Sequence, residues 1–195
     1  MLQFSLLSSP PPLPEGMSFD PTFLSPTAER DLLSHLQSLP FREARFREWT
    51  ARRRVVSYGV RYDFTDRTLE AADPIPPFLL PLRDRVAGWI GVDSAALRHA
   101  LINEYRPDTP LGWHRDAPAY ETVVGISLAG TARMRLRAWP PEQHTDAPLS
   151  LELPPRSAYV LSGASRWAWQ HAIAPTKCLR YSITFRTLVE NAAPS

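Results

Sequence analysis

The chain of 195 residues contains one cysteine, Cys178, so it closes no internal disulfide and builds no cysteine-rich zinc site. A reducing compartment, the cytoplasm, is the expectation for such a chain. It lacks the run of about 18 uninterrupted apolar residues that a membrane helix needs. Its start, MLQFSLLSSPPPLP, lacks the positive stretch that opens a secretory signal. Neither sign of charge dominates: 22 basic residues face 20 acidic ones, for a net charge of +2. Affinity for nucleic acid would therefore have to rest on a local patch. Glycine is scarce at 8 residues, whereas proline reaches 21. So much proline implies short elements with stiff connections and disfavours a long helical bundle. The apolar share of 44% and charged share of 22% are ordinary for a soluble globular protein and exclude a mainly disordered or fibrous chain. The length suits one domain with a proper core, expected to work as a monomer.

Residues 1–17 hold proline and glycine with few charges and read as an irregular arm; residues 18–195 read as a single domain. Ser25 suits a helix cap, Pro26 the first helical position, and Glu29 the positive helix end. Leu32, Leu33, Leu36 and Leu39 then supply a buried stripe, stopped by Pro40. A second helix is expected from Pro77 to Ile90, with Phe78, Leu82, Val86 and Trp89 on one face. Between the helices, residues 41–66 are rich in arginine and aromatic side chains, and Val55–Tyr62 reads as strand or hairpin. From about residue 98 the pattern becomes short strands bounded by Gly, Pro or Asn–Asp clusters, through RHALINEYR, TVVGISLAG, ARMRLRAW, LSLELPP, SAYVLSG, HAIAPT and RYSITFRTL. Strands at this spacing imply a sandwich or barrel. The expected class is α+β but mostly β: N-terminal helices supporting a jelly roll over about 98–188.

His114 and Asp116, in GWHRDAP, stand two apart, so on an extended chain both point to one side. His171 follows 55 residues after Asp116, at the start of another apparent strand. A jelly roll folds back on itself, so the three can meet. Two histidines and a carboxylate on one face, with coordination positions left open, form the facial triad of non-haem Fe(II). His35, His99 and His144 lack such partners and are expected to be surface or helix residues. Along Arg180–Arg186, period two puts Arg180, Ser182, Thr184 and Arg186 on one face and Tyr181, Ile183 and Phe185 on the other. Two guanidinium groups six residues apart suit a dicarboxylate laid along the strand, unless that face is merely solvated.

These segments together resemble the AlkB-like family of Fe(II)- and 2-oxoglutarate-dependent dioxygenases. The residues that carry the resemblance are Asn103-x-Tyr105, Trp113-His114-Arg115-Asp116, the stretch Tyr159–Gly163 leading through Arg166 and Trp169 to His171, and Arg180 through Arg186. Tyr58-Gly59 and the following strand resemble the family's substrate lid, placed at about 41–66. The resemblance implies a double-stranded β-helix in which His114, Asp116 and His171 hold Fe(II). It further implies that Arg180 and Tyr105 take the distal carboxylate of 2-oxoglutarate, while Arg186 and Asn103 take the one beside the keto group. The family often has Asn where this chain has Ser182, whose hydroxyl still donates one hydrogen bond. The implied reaction consumes 2-oxoglutarate and O2, yields succinate and CO2, and hydroxylates a C–H bond. On an N-methyl group it releases formaldehyde. DNA repair by demethylation of alkylated bases is the implied role.

The substrate is less legible. Arg52, Arg53, Arg54 and Arg61, interleaved with Trp49, Tyr58 and Tyr62, have the composition of a single-strand groove, with cations for phosphate and aromatics for stacking. The same residues would serve equally as an exposed turn over packed rings. Trp113, Arg115 and Trp169 flank the proposed ligands and are candidate pocket walls. Arg133, Arg135 and Arg137 form a second alternating face, lining a groove or facing water. Many repair members carry an acid just after the metal carboxylate; here Ala117-Pro118-Ala119 follows, and Glu121 is the nearest acid. Cys178 is expected to be a buried packing residue. The alternatives are the same chemistry on a protein, lipid or small molecule, or a non-catalytic or cupin-like metal-binding sandwich.

Overall fold

The computed structural model describes residues 12–46, 49–143 and 146–190, with the side chains of 45–51 outside the description. In chain order the elements are β1 (Met17–Asp20), α1 (Pro26–Leu36), β2 (Arg42–Phe46), β3 (Trp49–Asp63), β4 (Thr68–Ala71), α2 (Leu80–Ile90) and β5 (Leu97–Tyr105). There follow β6 (Leu111–His114), β7 (Tyr120–Leu128), β8 (Ala132–Ala138), β9 (Leu149–Leu153), β10 (Ala158–Leu161), α3 (Gly163–Trp167), β11 (Trp169–Ile173) and β12 (Arg180–Leu188). A large sheet runs β1-β10-β7-β12-β5-β3-β2, with β4 paired to β3, and a small sheet runs β6-β11-β8-β9.

Both expected helices form, although α1 ends at Leu36, a turn before Pro40. Ser25 Oγ accepts the amide hydrogen of Ala28 at 3.2 Å, which caps α1. Pro77–Leu79 forms a short 3-10 turn ahead of α2, which ends on Gly91 in the left-handed region, φ 71°. Leu32, Leu36, Leu82 and Val86 are buried against the large sheet, where they meet Tyr181, Ile183 and Phe185 of β12. The sheet's other face turns toward the small sheet. Between them lies a second core of Val123, Met134, Leu136, Leu153, Tyr159 and Ile173.

The alternation of β12 therefore sorts its residues. The apolar set packs under the helices, and Arg180, Ser182, Thr184 and Arg186 enter the space between the sheets. Hydrophobic burial of the first set holds the second in place.

Several expectations need correction. Of the proposed arm, residues 1–11 lie outside the described residues. Met17 is no part of an irregular arm: it is buried and opens β1, paired with Leu161 of β10. The strand β6 was hidden in the glycine- and histidine-bearing stretch LGWH. Cys178 is exposed, not buried. Within the proposed lid of about 41–66, β3 pairs with β5 from Arg54 to Gly59 and extends the large sheet. Among the described residues, no helix is long and apolar enough to cross a membrane.

Candidate metal and cosubstrate site

His114 on β6 and His171 on β11 are register partners of antiparallel neighbours, and their ring centroids lie 4.2 Å apart. Asp116 lies two residues beyond His114, and its Oδ2 is 3.7 Å from Nε2 of His171. One nitrogen from each histidine and one carboxylate oxygen all fall within 4.8 Å of one another. Nδ1 of His114 donates to the Gly112 carbonyl at 2.9 Å, which leaves the lone pair on Nε2. Arg186 Nε donates to Oδ1 of Asp116 at 2.8 Å, and its Nη2 forms an ion pair with the same oxygen at 2.6 Å. Oδ2 is buried with no hydrogen-bond partner.

That asymmetry tests whether a cation fits. A buried carboxylate oxygen without a donor costs about 1–3 kcal/mol. The cost is removed by a cation facing Oδ2 and two imidazole nitrogens. Two His and one carboxylate, with positions to spare, match Fe(II).

The protonation states agree. Burial alone would raise the Asp116 carboxyl, but Arg186, His171, His114 and Arg166 outweigh it and hold the group well below the usual carboxylate range. Burial, aided by His114, pushes His171 down to about 3, and burial lowers His114 as well. All three groups are in the form that binds metal near neutral pH. Arg166, itself buried, fixes the loop that carries Asp116 by donating to the carbonyls of Asp116 at 3.2 Å, Ala117 at 2.6 Å and Tyr120 at 2.8 Å.

Beside the triad, strand register arranges the cosubstrate candidates in rows across the sheet. Arg180 pairs with Tyr105, and Ser182 with Asn103. The Arg180 guanidinium lies 4.9 Å over the Tyr105 ring, and its Nε donates to Ser127 Oγ at 3.0 Å. The side chain is only 1% exposed, yet Nη1 has no hydrogen-bond partner. A buried guanidinium with an idle nitrogen calls for an anion. Asn103 Nδ2 donates to Ser182 Oγ at 3.4 Å, so Ser182 is the acceptor of this bond and its side chain stands beside Asn103. Gly125 makes room here: a Cβ on it would sit 2.3 Å from Cζ of Tyr159, whose ring lines the cleft. The cleft has a volume of about 350 Å3 and holds the triad, Arg180, Arg186 and Asn103.

His99 corrects an expectation. It is neither a surface nor a helix residue but is buried on β5, four residues before Asn103. Its Nδ1 accepts from Arg186 Nη1 at 3.0 Å, its Nε2 meets Ser57 Oγ at 3.0 Å, and its ring stacks on Tyr120 at 4.9 Å. Period two on β5, running His99, Leu101, Asn103, Tyr105, was the signal that could have found it. His35 lies on α1, stacked on Phe78, and His144 lies outside the described residues.

The proposed substrate residues divide. Arg53 lines the cleft, and its Nε donates to Asn103 Oδ1 at 3.2 Å; Arg115 also lines it. Arg52 is exposed, and the side chain of Trp49 lies outside the described residues. Arg54 is corrected: it grips Glu104 with two hydrogen bonds of 2.8 Å on the sheet's other face. Tyr58 is corrected likewise, for it packs against the core beneath the helices. An extended strand must send alternate residues to opposite faces, so Arg53 and Arg54 cannot act together. Trp113 points away from the cleft, under the guanidinium groups of Arg135 and Arg137. Trp169 shares the inward face of β11 but packs into the second core rather than against the cleft. Tyr62, one of the rings expected in the groove, lines the cleft, and so does Phe64, which the sequence reading did not single out. Glu121 accepts from Trp167 Nε1 at 3.2 Å outside the cleft, where Glu43 is the carboxylate at the mouth.

Comparison with known proteins agrees with this geometry. The model of the 2OG-Fe(II) oxygenase superfamily matches residues 16–186, and the chain belongs to that family, whose enzymes use Fe(II), 2-oxoglutarate and O2. It is 30% identical over 193 residues to the alkylated DNA repair protein ALKBH8 homolog of Arabidopsis thaliana, covering 87% of this chain and 53% of that protein. It is 27% identical to uncharacterized protein L905 of Acanthamoeba polyphaga mimivirus, covering 90% of this chain and 86% of that one. It is 28% identical to a Xenopus tropicalis tRNA (carboxymethyluridine(34)-5-O)-methyltransferase, alkbh8, over 86% of this chain but 26% of that protein. The chain thus spans about half the length of the plant relative and about a quarter of the frog one. The solved structure of OsALKBH1 shares the fold, with a TM-score of 0.70 at 17% identity, covering 90% of this chain and all of that one.

Proposed function

We propose that this protein oxidises alkylated bases of nucleic acid, and that where the alkyl group is N-methyl it demethylates the base with release of formaldehyde. The observation that carries the reading is the orphaned Oδ2 of Asp116 beside two neutral imidazoles, at one end of a cleft whose mouth presents Arg53, Arg61, Tyr62 and Phe64. When bound by His114, Asp116 and His171, Fe(II) with 2-oxoglutarate and O2 supplies the oxidant for a C–H bond, leaving succinate and CO2. Arg180 holds the distal carboxylate of 2-oxoglutarate through its idle Nη1. Arg186, Asn103 and Ser182 orient the other end. Arg186 also keeps Asp116 ionised and correctly turned. Arg53, bonded to Asn103, ties the lid strand β3 to the cosubstrate subsite, while Tyr62 and Phe64 offer rings to an extruded base. The lone, exposed and unpaired Cys178 supports a cytoplasmic setting.

The test is succinate and formaldehyde release from 2-oxoglutarate with methylated oligonucleotides, free nucleosides and methylated peptides offered in parallel. Stimulation by the oligonucleotides supports the reading. Stimulation by peptides alone, or by free nucleosides alone, refutes it in favour of the same chemistry on another substrate.

A further inference from the structure

The small sheet's outer face is unused by the chemistry above, although it carries three alternating arginines of β8. Trp113 lies across this face with Cζ of Arg137 4.4 Å and Cζ of Arg135 5.2 Å from its ring centroid. A second pair adjoins it: Arg115 lies 5.1 Å over Trp139, which is 37% exposed. Counter-charge is sparse. Arg133 has Glu152 at 3.8 Å. Arg137 donates to the neutral amide oxygen of Gln170, at 2.9 and 2.7 Å. Among the described residues, no carboxylate is within ion-pair distance of Arg135 or Arg137. In a chain whose net charge is only +2, these cations are concentrated rather than spread.

Arg115 also lines the catalytic cleft, and β6 is the edge strand of the small sheet. Arg115 thus touches both the cleft and, over Trp139, the outer face that carries Trp113, Arg137 and Arg135.

From this arrangement we infer that the outer face of the small sheet is a docking track for the single-stranded nucleic acid flanking the target base. Guanidinium groups held 4.4–5.2 Å over indole rings keep N–H donors for phosphate oxygens. The exposed part of the Trp139 ring suits an unstacked base. An acidic peptide would satisfy the cations but offers no planar group to the rings. The inference rests on the nucleic-acid reading of the active site and adds to it a surface on the opposite side of the same sheet.

Fluorescence anisotropy with a fluorescein-labelled single-stranded oligonucleotide of about 12 nucleotides, within the usual range of site sizes, tests it across a salt series. Arg135→Gln with Arg137→Gln should weaken binding at low salt and flatten the log–log salt slope by about 1.4, near 0.7 for each phosphate no longer neutralised. Arg135→Lys with Arg137→Lys keeps the charge and should retain most of the slope. Melting temperatures and Mn(II) binding of both variants, matched to the parent protein, show that fold and triad are intact. Parent protein that binds with steep salt dependence while the Gln variant behaves identically would overturn the track and leave the active-site reading standing. Parent protein that binds no oligonucleotide, or binds poly-glutamate as tightly, would overturn both.

Discussion

Arg186→Met removes a hydrogen bond and an ion pair from a carboxylate that is 4% exposed, and leaves His99 Nδ1 without its donor. The residue that remains is a buried, unpaired Asp116. Breaking a buried ion pair from one side costs about 3–5 kcal/mol. For a chain of this size each kcal/mol moves the melting temperature by about 2–4 °C, so the metal-free variant should melt roughly 6–20 °C lower. The measurement is thermal unfolding in chelator near neutral pH. Three further outcomes follow from the same electrostatics. The loss should shrink as pH falls, because without Arg186 the Asp116 carboxyl rises and can take a proton. Mn(II) should restore part of it, since a cation replaces the lost charge. Asp116→Asn in the same chain should relieve most of it, by removing the stranded charge. A shift under about 2 °C, or an equal loss when Asp116 is already Asn, would show that Arg186 stabilises the fold by packing and would refute the reasoning.

Metal-free stability should also fall in the parent protein as pH drops below the ordinary histidine value of about 6.5. Burial holds His171 down to about 3 and His99 well below its usual value, so the unfolded chain binds protons that the folded one refuses. Stability is therefore full above about pH 6.5 and is lost toward pH 3, each histidine adding up to about 1.4 kcal/mol per pH unit; a flat melting curve between about pH 7.5 and 4.5 would contradict this. His171→Ala should abolish the Mn(II)-dependent rise in melting temperature and all 2-oxoglutarate turnover, and retention of either would remove His171 from the triad. Arg180→Lys keeps a charge but loses the planar fork, so 2-oxoglutarate binding followed by calorimetry should weaken by about 1.5–3 kcal/mol; unchanged affinity would place the cosubstrate elsewhere. Gly125→Ala should destabilise the protein by about 1–3 kcal/mol in chemical denaturation, because the new Cβ meets the Tyr159 ring at 2.3 Å; a neutral result would mean the ring moves freely.

The parts of the site that were legible in the chain are those set by local rules. Ser25 and Pro26 mark where α1 starts, and period two along Arg180–Arg186 separates a polar face from an apolar one. His114 and Asp116, two apart, share a side wherever the backbone is extended. The same rule applied to β3 would have separated Arg53 from Arg54, and applied to β5 it would have joined His99 to Asn103.

What the amino-acid sequence determined by itself is thus which residues travel together: the apolar stripe of each helix, the alternating faces of each strand, and the set of ligand types that makes Fe(II) chemistry available. Only the tertiary structure decided which face of each strand looks inward. Strand pairing across long separations brought His171 opposite His114 and Arg180 opposite Tyr105. It also turned Trp113 outward and Arg54 toward Glu104. The physical reason is that alternation is a property of one extended chain, whereas burial is a property of the layers packed against it. A face becomes a core, a catalytic cleft or a surface according to what lies across from it.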